Sequence, residues 1–466
     1  MRNWLLLALF LSSGLSLVAQ KQPLQLLPHD TSIHSIKDFL KAGKIEGHFR
    51  NSFMATFNQG SLKDYWTNAS GGSIKYHSPL WHGIEFGLKG SFTYQTLSSD
   101  LLDKDPLVQK GAKWESELYD VLRPGEYKDL SLLEELYLKL NMSNSYLTFG
   151  KIDINTGPLL LRRDGRMKPF LYRGFWSEIN EWEKHKLVLG WINGVSPRGI
   201  NQWFNLAEAI GINNNGFLPN GEKAEYRNQH QSKGIAALGY QYHQQNGFQL
   251  QVWQYWFHQL HHLTWVEGVY QQDTWSFGLQ LAHQRAAKFQ AELDFENRYM
   301  QPEERPLVMS TQATWKPSGQ SLQLSWIYLH VFGEGRFLFP RELGREGFYA
   351  SQARSWIDGF GKSSVYMTRI KWNPKSEALQ GLSLDSRISY TQTSGLGNWA
   401  LNKYNIPNFF QVTLLLDYHF KNTLEGMHLR ALYIGKWSAH PEETDPNILF
   451  YRTNLDHFNL IFNLDF

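Results

Sequence analysis

Three observations predict an all-β protein, a transmembrane antiparallel β-barrel of about 16–18 strands. Apolar and polar residues alternate with period two along most of the chain. No long uninterrupted apolar run follows Gln20. Turn clusters such as Asn68 to Gly72, Pro317 to Gly319 and Gly395 to Asn398 punctuate the alternation throughout. The 466 residues include Trp 18, Tyr 22 and Phe 29, too aromatic for a disordered chain. The absence of cysteine excludes a disulfide scaffold, a thiolate zinc site and a cysteine nucleophile. Lys and Arg number 46 against 43 Asp and Glu, so there is no global field to attract nucleic acid, and no such partner is expected.

The organisation follows from the N-terminus onward. Residues 1–19 read as a signal peptide: Arg2 is basic, Trp4 to Leu11 with Leu15, Leu17 and Val18 are apolar, and Ala19 is small. Serines 12, 13 and 16 and Gly14 interrupt that stretch, so it does not read as a spanning helix. Residues 20–43 form a separate N-terminal segment, with Ile33, Ile36, Phe39 and Leu40 at helical spacing behind Thr31 and Ser32 as caps. The barrel is expected to occupy 44–466.

Each strand is read from its two faces. Ile45, Gly47, Phe49, Phe53, Ala55 and Phe57 alternate with Glu46, His48, Arg50, Ser52, Thr56 and Asn58. The same pattern recurs around Ile84 to Tyr94, Glu135 to Met142, Trp275 to Leu281, Val412 to Phe420 and Phe458 to Phe466. A sandwich interior would reject the Glu, Lys, Arg and Asn of the polar faces, whereas a watered lumen accepts them. Lipid requires a closed sheet, because every backbone polar group must be satisfied there. Trp253, Tyr255, Trp256 and Phe257 read as part of an interfacial girdle against outer-membrane lipid. The last strand alternates through Phe458 and Phe462 to a terminal Phe466, an end that resembles the signal read by the outer-membrane barrel assembly machinery.

Two charged motifs lie between strands. Gly150 to Phe170 reads GKIDINTGPLLLRRDGRMKPF, followed by Tyr172-Arg173-Gly174 and Ser177-Glu178-Ile179. Pro340 to Ser351 reads PRELGREGFYAS, followed by Arg354 and Asp358-Gly359-Phe360-Gly361. With Gly47-His48-Phe49-Arg50-Asn51 and Gly71-Gly72, these resemble the OprD family of outer-membrane porins. The resemblance implies a monomeric channel of about 18 strands, inward-folded loops that narrow the pore, and a ladder of basic lumenal residues passing small carboxylate-bearing solutes across the bacterial outer membrane.

The residues of this chain provide such a row. With each apolar face toward lipid, Arg50, Lys89, Lys139, Arg369, Lys371, Arg387 and Arg430 fall on the lumenal face. Arginine forks bind carboxylates bidentately, but any porin must also place its charges inward, so ordinary lumen charge is the competing reading. Glu292, Asp294 and Glu296 with Arg298 read as a less basic opposing wall. Arg162, Arg163, Asp164, Arg166 and Lys168 are constriction candidates if their loop enters the lumen, with an external loop as the alternative. Arg341, Glu342, Arg345 and Glu346 are a second set, close enough in sequence for internal salt bridges.

Enzyme motifs are missing. There is no HExxH and no G-x-S-x-G, and Trp356 stands where a phosphate-binding loop ending in Gly361-Lys362-Ser363 needs glycine. No metal or cofactor is expected. The predicted function is passive diffusion of small hydrophilic solutes. A barrel that transports nothing, acting as a surface adhesin or as an envelope polysaccharide-binding protein, is the alternative.

Overall fold

The computed structural model describes residues 34–163, 165–213, 215–244 and 246–466. Among them, eighteen long strands form one closed antiparallel sheet in chain order. They are β1 (Lys44–Asn58), β2 (Tyr65–His77), β3 (Ile84–Ser98), β4 (Leu130–Met142), β5 (Ser145–Ile152) and β6 (Leu171–Trp182), then β7 (His185–Ser196). A two-residue strand, β8 (Phe204–Asn205), pairs beside β7 outside the main count. The wall continues with β9 (Ile235–His243), β10 (Phe248–Phe257), β11 (His261–Gln271), β12 (Trp275–Ala286), β13 (Arg305–Trp315) and β14 (Leu322–Glu334). It ends with β15 (Ser364–Trp372), β16 (Leu382–Gln392), β17 (Phe409–His419), β18 (Met427–Ser438) and β19 (Leu455–Asp465). Pairing of β1 with β19, from His48 opposite Asp465 to Asn58 opposite Leu455, closes the barrel and leaves no edge.

The outer face carries the apolar half of the alternation. Phe49, Phe92, Leu138, Phe149, Phe277, Ile388, Leu414 and Leu460 are all exposed on the wall. At the closure, Phe466 exchanges two backbone hydrogen bonds with Gly47, at 2.6 and 2.9 Å. Its ring covers that glycine, where an added Cβ would come within 2.2 Å of a ring carbon. One end of the barrel has short turns, such as Ser143 and Asn144 between β4 and β5; the other carries loops 99–129, 153–170, 197–234, 287–304, 335–363, 393–408 and 439–454. Short turns face the periplasm and long loops the outside in this class of barrel.

Those loops explain where the inner face departs from the predicted polarity. From β6 to β15 much of the inner wall is apolar, and loops 153–170 and 335–363 pack on it inside the barrel as one core containing Leu159, Leu160, Phe337, Phe339, Leu343 and Phe348. Trp253, Tyr255 and Phe257 belong to this core and point inward, fully buried; of the expected girdle residues there, Trp256 is the one exposed. The alternation is kept, but where it meets loops the inner face carries large apolar side chains beside polar ones such as Gln280 and Gln284. Glycine makes room for the large rings, with Trp176 on Gly190 and Trp253 on Gly239 in the facing strand. A second core joins loop 99–129 to β1, β2 and the 450–455 segment through Met54, Tyr65, Trp114, Tyr119 and Tyr451.

Two smaller expectations change. Glu292, Asp294, Glu296 and Arg298 form no wall; they sit in loop 287–304, in and beside two short 3-10 turns. The helix before the barrel is Ile36–Lys41, capped by Ser35, whose hydroxyl accepts from the Asp38 N–H. Phe39 anchors it against Trp81 and Phe86 at the short-turn end. The signal peptide, Thr31 and Ser32 lie outside the described residues. No helix among the described residues is long and apolar enough to cross a membrane.

Candidate functional site

The seven basic wall residues all point into the lumen, and acids meet most of them. Lys89 reaches Glu134 at 3.0 Å and Lys139 reaches Glu85 at 3.6 Å. Arg369 and Arg387 close on the same carboxylate, Asp385, the latter at 2.9 Å. Arg430 pairs with Asp417 at 2.6 Å. Arg50 donates to the Asn463 side chain and to the Arg166 carbonyl. Lys371 has no ion pair within 4 Å among the described residues. The acids were hard to read because a bulge opposite Lys89 turns both Glu134 and Glu135 inward, out of the period-two pattern.

Loop 153–170 enters the lumen. Arg162 lies 3.0 Å from Glu135 and 3.3 Å from Asp153. Arg163 is mostly buried and has a positive φ of 24°. Arg166, 1% exposed, donates to Glu117 at 2.6 Å. Burial alone would raise the Glu117 carboxyl, but Arg166, Arg198 and Arg354 overcome it and hold the group down at about 2. Lys168 donates to Ser196 Oγ and the Pro197 carbonyl, and burial pushes its ammonium down to about 7. Asp164 lies outside the described residues.

Loop 335–363 crosses the lumen, stitched to both sides. Gln284 of β12 exchanges two hydrogen bonds with the Leu338 backbone, and Gln280 accepts from Tyr349 N–H. Opposite, Gln352 donates to Ser389, Gln411 to the Ala353 carbonyl, and Arg387 to the Ser351 carbonyl. The four charged residues of its motif do not bridge one another. Arg341 pairs with Asp358 at 3.0 Å, Glu342 accepts from Asn213 N–H, and Glu346 accepts from Ile357 N–H. Arg345 donates to the Gln352 and Ser355 carbonyls and lies 4.0 Å from the Trp356 ring centre. Burial brings its guanidinium down to about 10 despite Glu346.

The two cores meet along a charged seam that the sequence reading did not assemble. Arg354 and Arg166 both reach the Met54 sulfur, at 3.7 and 3.8 Å. Arg354 also donates to His457 Nε2 at 2.6 Å and covers the Trp114 ring. Glu115, fully buried, accepts from Thr56 and Tyr451 at 2.5 Å each. Lys113 stands free of the packing, exposed to the lumen while protein surrounds it. Burial in that enclosure pushes its ammonium down to about 8; Arg341, Arg354 and Arg452 add to the shift and Glu117 opposes it. Lys436 faces Lys113, Arg341 and Arg452 from the wall. The signal available in the sequence was the alternation of Lys113, Glu115 and Glu117 within the charged interval between β3 and β4. Among the described residues no group of three or more His, Asp or Glu could hold a metal ion.

The family model described as outer membrane porin, OprD family, matches residues 120–362. The structure is similar to Pseudomonas aeruginosa OccK9 (OpdG), with a TM-score of 0.70 and 16% identity over 92% of this chain and 99% of that one. Acinetobacter baumannii OccAB2 gives 0.68 and 16% over 92% and 98%. Pseudomonas aeruginosa OpdK with vanillate gives 0.65 and 16% over 92% and 99%. No curated protein matches the sequence. A family match over more than half of the chain and a closed barrel crossed by two inward loops lead to one conclusion: the chain belongs to the OprD family of outer-membrane porins and forms a channel for small solutes.

Proposed function

We propose that this channel favours small solutes bearing a carboxylate, selected at the seam between its two packed halves rather than along an open basic ladder. One observation carries the reading: Lys113, exposed in the lumen, has three arginines and a single carboxylate as its principal charged neighbours. In a narrow lumen with low-dielectric walls such a surplus is screened less than in bulk water, so it attracts anions. Arg369, Arg387 and Arg430 are offset by Asp385 and Asp417. They supply weaker sites that a passing carboxylate can enter and leave. The OpdK structure was solved with vanillate, itself a carboxylate, which fits this reading. Liposome swelling with anionic, neutral and cationic solutes of one size tests it. Carboxylate flux is expected to lead and to fall most in Lys113→Gln; equal flux for the three classes would overturn the preference.

A further inference from the structure

We propose that the outer wall of β11–β13, at the long-loop end, is a binding surface for the phosphorylated headgroup of an outer-leaflet glycolipid. Four basic side chains carry it: His262, His283, Arg285 and Arg305. Their outward direction follows from their neighbours. His262 follows His261, which is buried inside against Phe257 and Tyr299. His283 and Arg285 alternate with Ala282 and Gln284, and Gln284 holds the lumenal loop. Arg305 alternates with buried Pro306 and Val308. His262 stands directly opposite Arg285, and His283 opposite Leu307, two residues from Arg305. Directly opposed side chains lie about 5 Å apart.

Among the described residues no ion pair neutralises this patch. His283, Arg285 and Arg305 make no side-chain hydrogen bond or ion pair among the described residues, and His262 Nδ1 is buried without a partner. The remaining outward positions of these strands are Thr264, Val266, Gly268 and Tyr270, then Trp275 to Leu281, then Leu307 to Trp315, with no acid. Glu334, opposite Arg305 on β14, and the exposed Glu303, two residues before Arg305, are nearby carboxylates, and neither forms an ion pair within 4 Å among the described residues. A cation on a lipid-facing wall is tolerated near the interface and costly at the midplane. Here the charges begin where the apolar band of Phe277, Leu279 and Leu281 ends. Elsewhere at the same end the outward charges include Asp456, bonded to Tyr433, and the facing pair Lys151 and Arg173 of β5 and β6. Phosphate is the group that complements a cluster of arginine forks and imidazoles.

The test uses the full barrel in phosphatidylcholine nanodiscs, with native mass spectrometry reading retention of diphosphorylated lipid A, its dephosphorylated form, or inorganic phosphate. The wild type is expected to keep the diphosphorylated form and release the other two. Arg285→Gln with Arg305→Gln should weaken retention by roughly 25-fold, about five-fold per cation, while Glu334→Gln strengthens it and Lys44→Gln, at the opposite end, leaves it unchanged. Heat-modifiable migration on gels reports that each variant is folded. Equal retention of the two lipid A forms, displacement of the lipid by inorganic phosphate, or an unaltered double variant would overturn the proposal. If the double variant does not fold, Glu334→Gln decides alone, and no gain there overturns it.

Discussion

Arg354 and His457 meet at 2.6 Å, and this contact ties the loop that crosses the lumen to the strand that closes the barrel. Arginine only donates, so Nε2 of His457 accepts and the ring proton sits on Nδ1. Thr56 Oγ lies 2.8 Å from that nitrogen and passes its own proton toward Glu115. The chain from Arg354 through His457 and Thr56 thus ends on the Glu115 carboxyl group. Burial raises the Glu115 carboxyl, while the Thr56 and Tyr451 hydroxyls and Arg354 favour its ionised form.

Replacing Arg354 with glutamine breaks this chain at its charged end. Hydrogen bonds to charged groups contribute about 1.5–3 kcal/mol, so the folded band on a heated gel should be lost at lower temperature. Loop 335–363 should also move more, read as greater open-channel current noise. Unchanged noise and melting would show that its other bonds hold the loop alone.

Lys113 gives the pore a pH dependence. With its ammonium pushed down to about 8, it is charged at pH 6 and largely neutral at pH 9. The ratio of anion to cation permeability is therefore expected to fall as pH rises through 8. Lys403, also near 8 but buried among Tyr226, Tyr299 and Tyr404, can supply a residual slope. In Lys113→Gln most of the fall should vanish, and a full-size fall in that variant would assign it elsewhere.

Arg369 and Arg387 share Asp385, so removing both does more than delete two cations. The double glutamine variant leaves Asp385 without its two arginines in the lumen, and carboxylate flux should drop further than charge counting along a ladder suggests. Adding Asp385→Asn should restore part of it. No recovery in the triple variant would mean that the arginines themselves, not the balance with Asp385, guide the solute.

At the barrel closure, deleting Phe466 removes two backbone hydrogen bonds and the ring seated on Gly47. Outer-membrane yield should fall while export across the inner membrane continues, and quantitative blotting of membrane fractions reads both. Gly47→Ala, whose methyl would strike the ring, should lower yield in the same way.

The outer surface was legible in the sequence because lipid imposes one rule on every strand, as Phe277, Leu279 and Leu281 or Phe458 and Leu460 show. The inner surface obeys two rules, one for water and one for packed loops. Trp253 and Tyr255, fixed by contact with Trp176 and loop 153–170, therefore read as girdle residues. The motif loops announced themselves by charge, but their partners did not. Glu117 meets Arg166 from 49 residues away, and His457 meets Arg354 from 103. Only the closed barrel brings such pairs together.

The reversal potential of a single channel in a potassium chloride gradient tests most directly whether the seam selects anions. The wild type is predicted to be anion-selective at pH 6, with a potential that moves toward zero in Lys113→Gln. A cation-selective wild type, or one whose potential ignores Lys113, would contradict the assignment of selectivity to this seam.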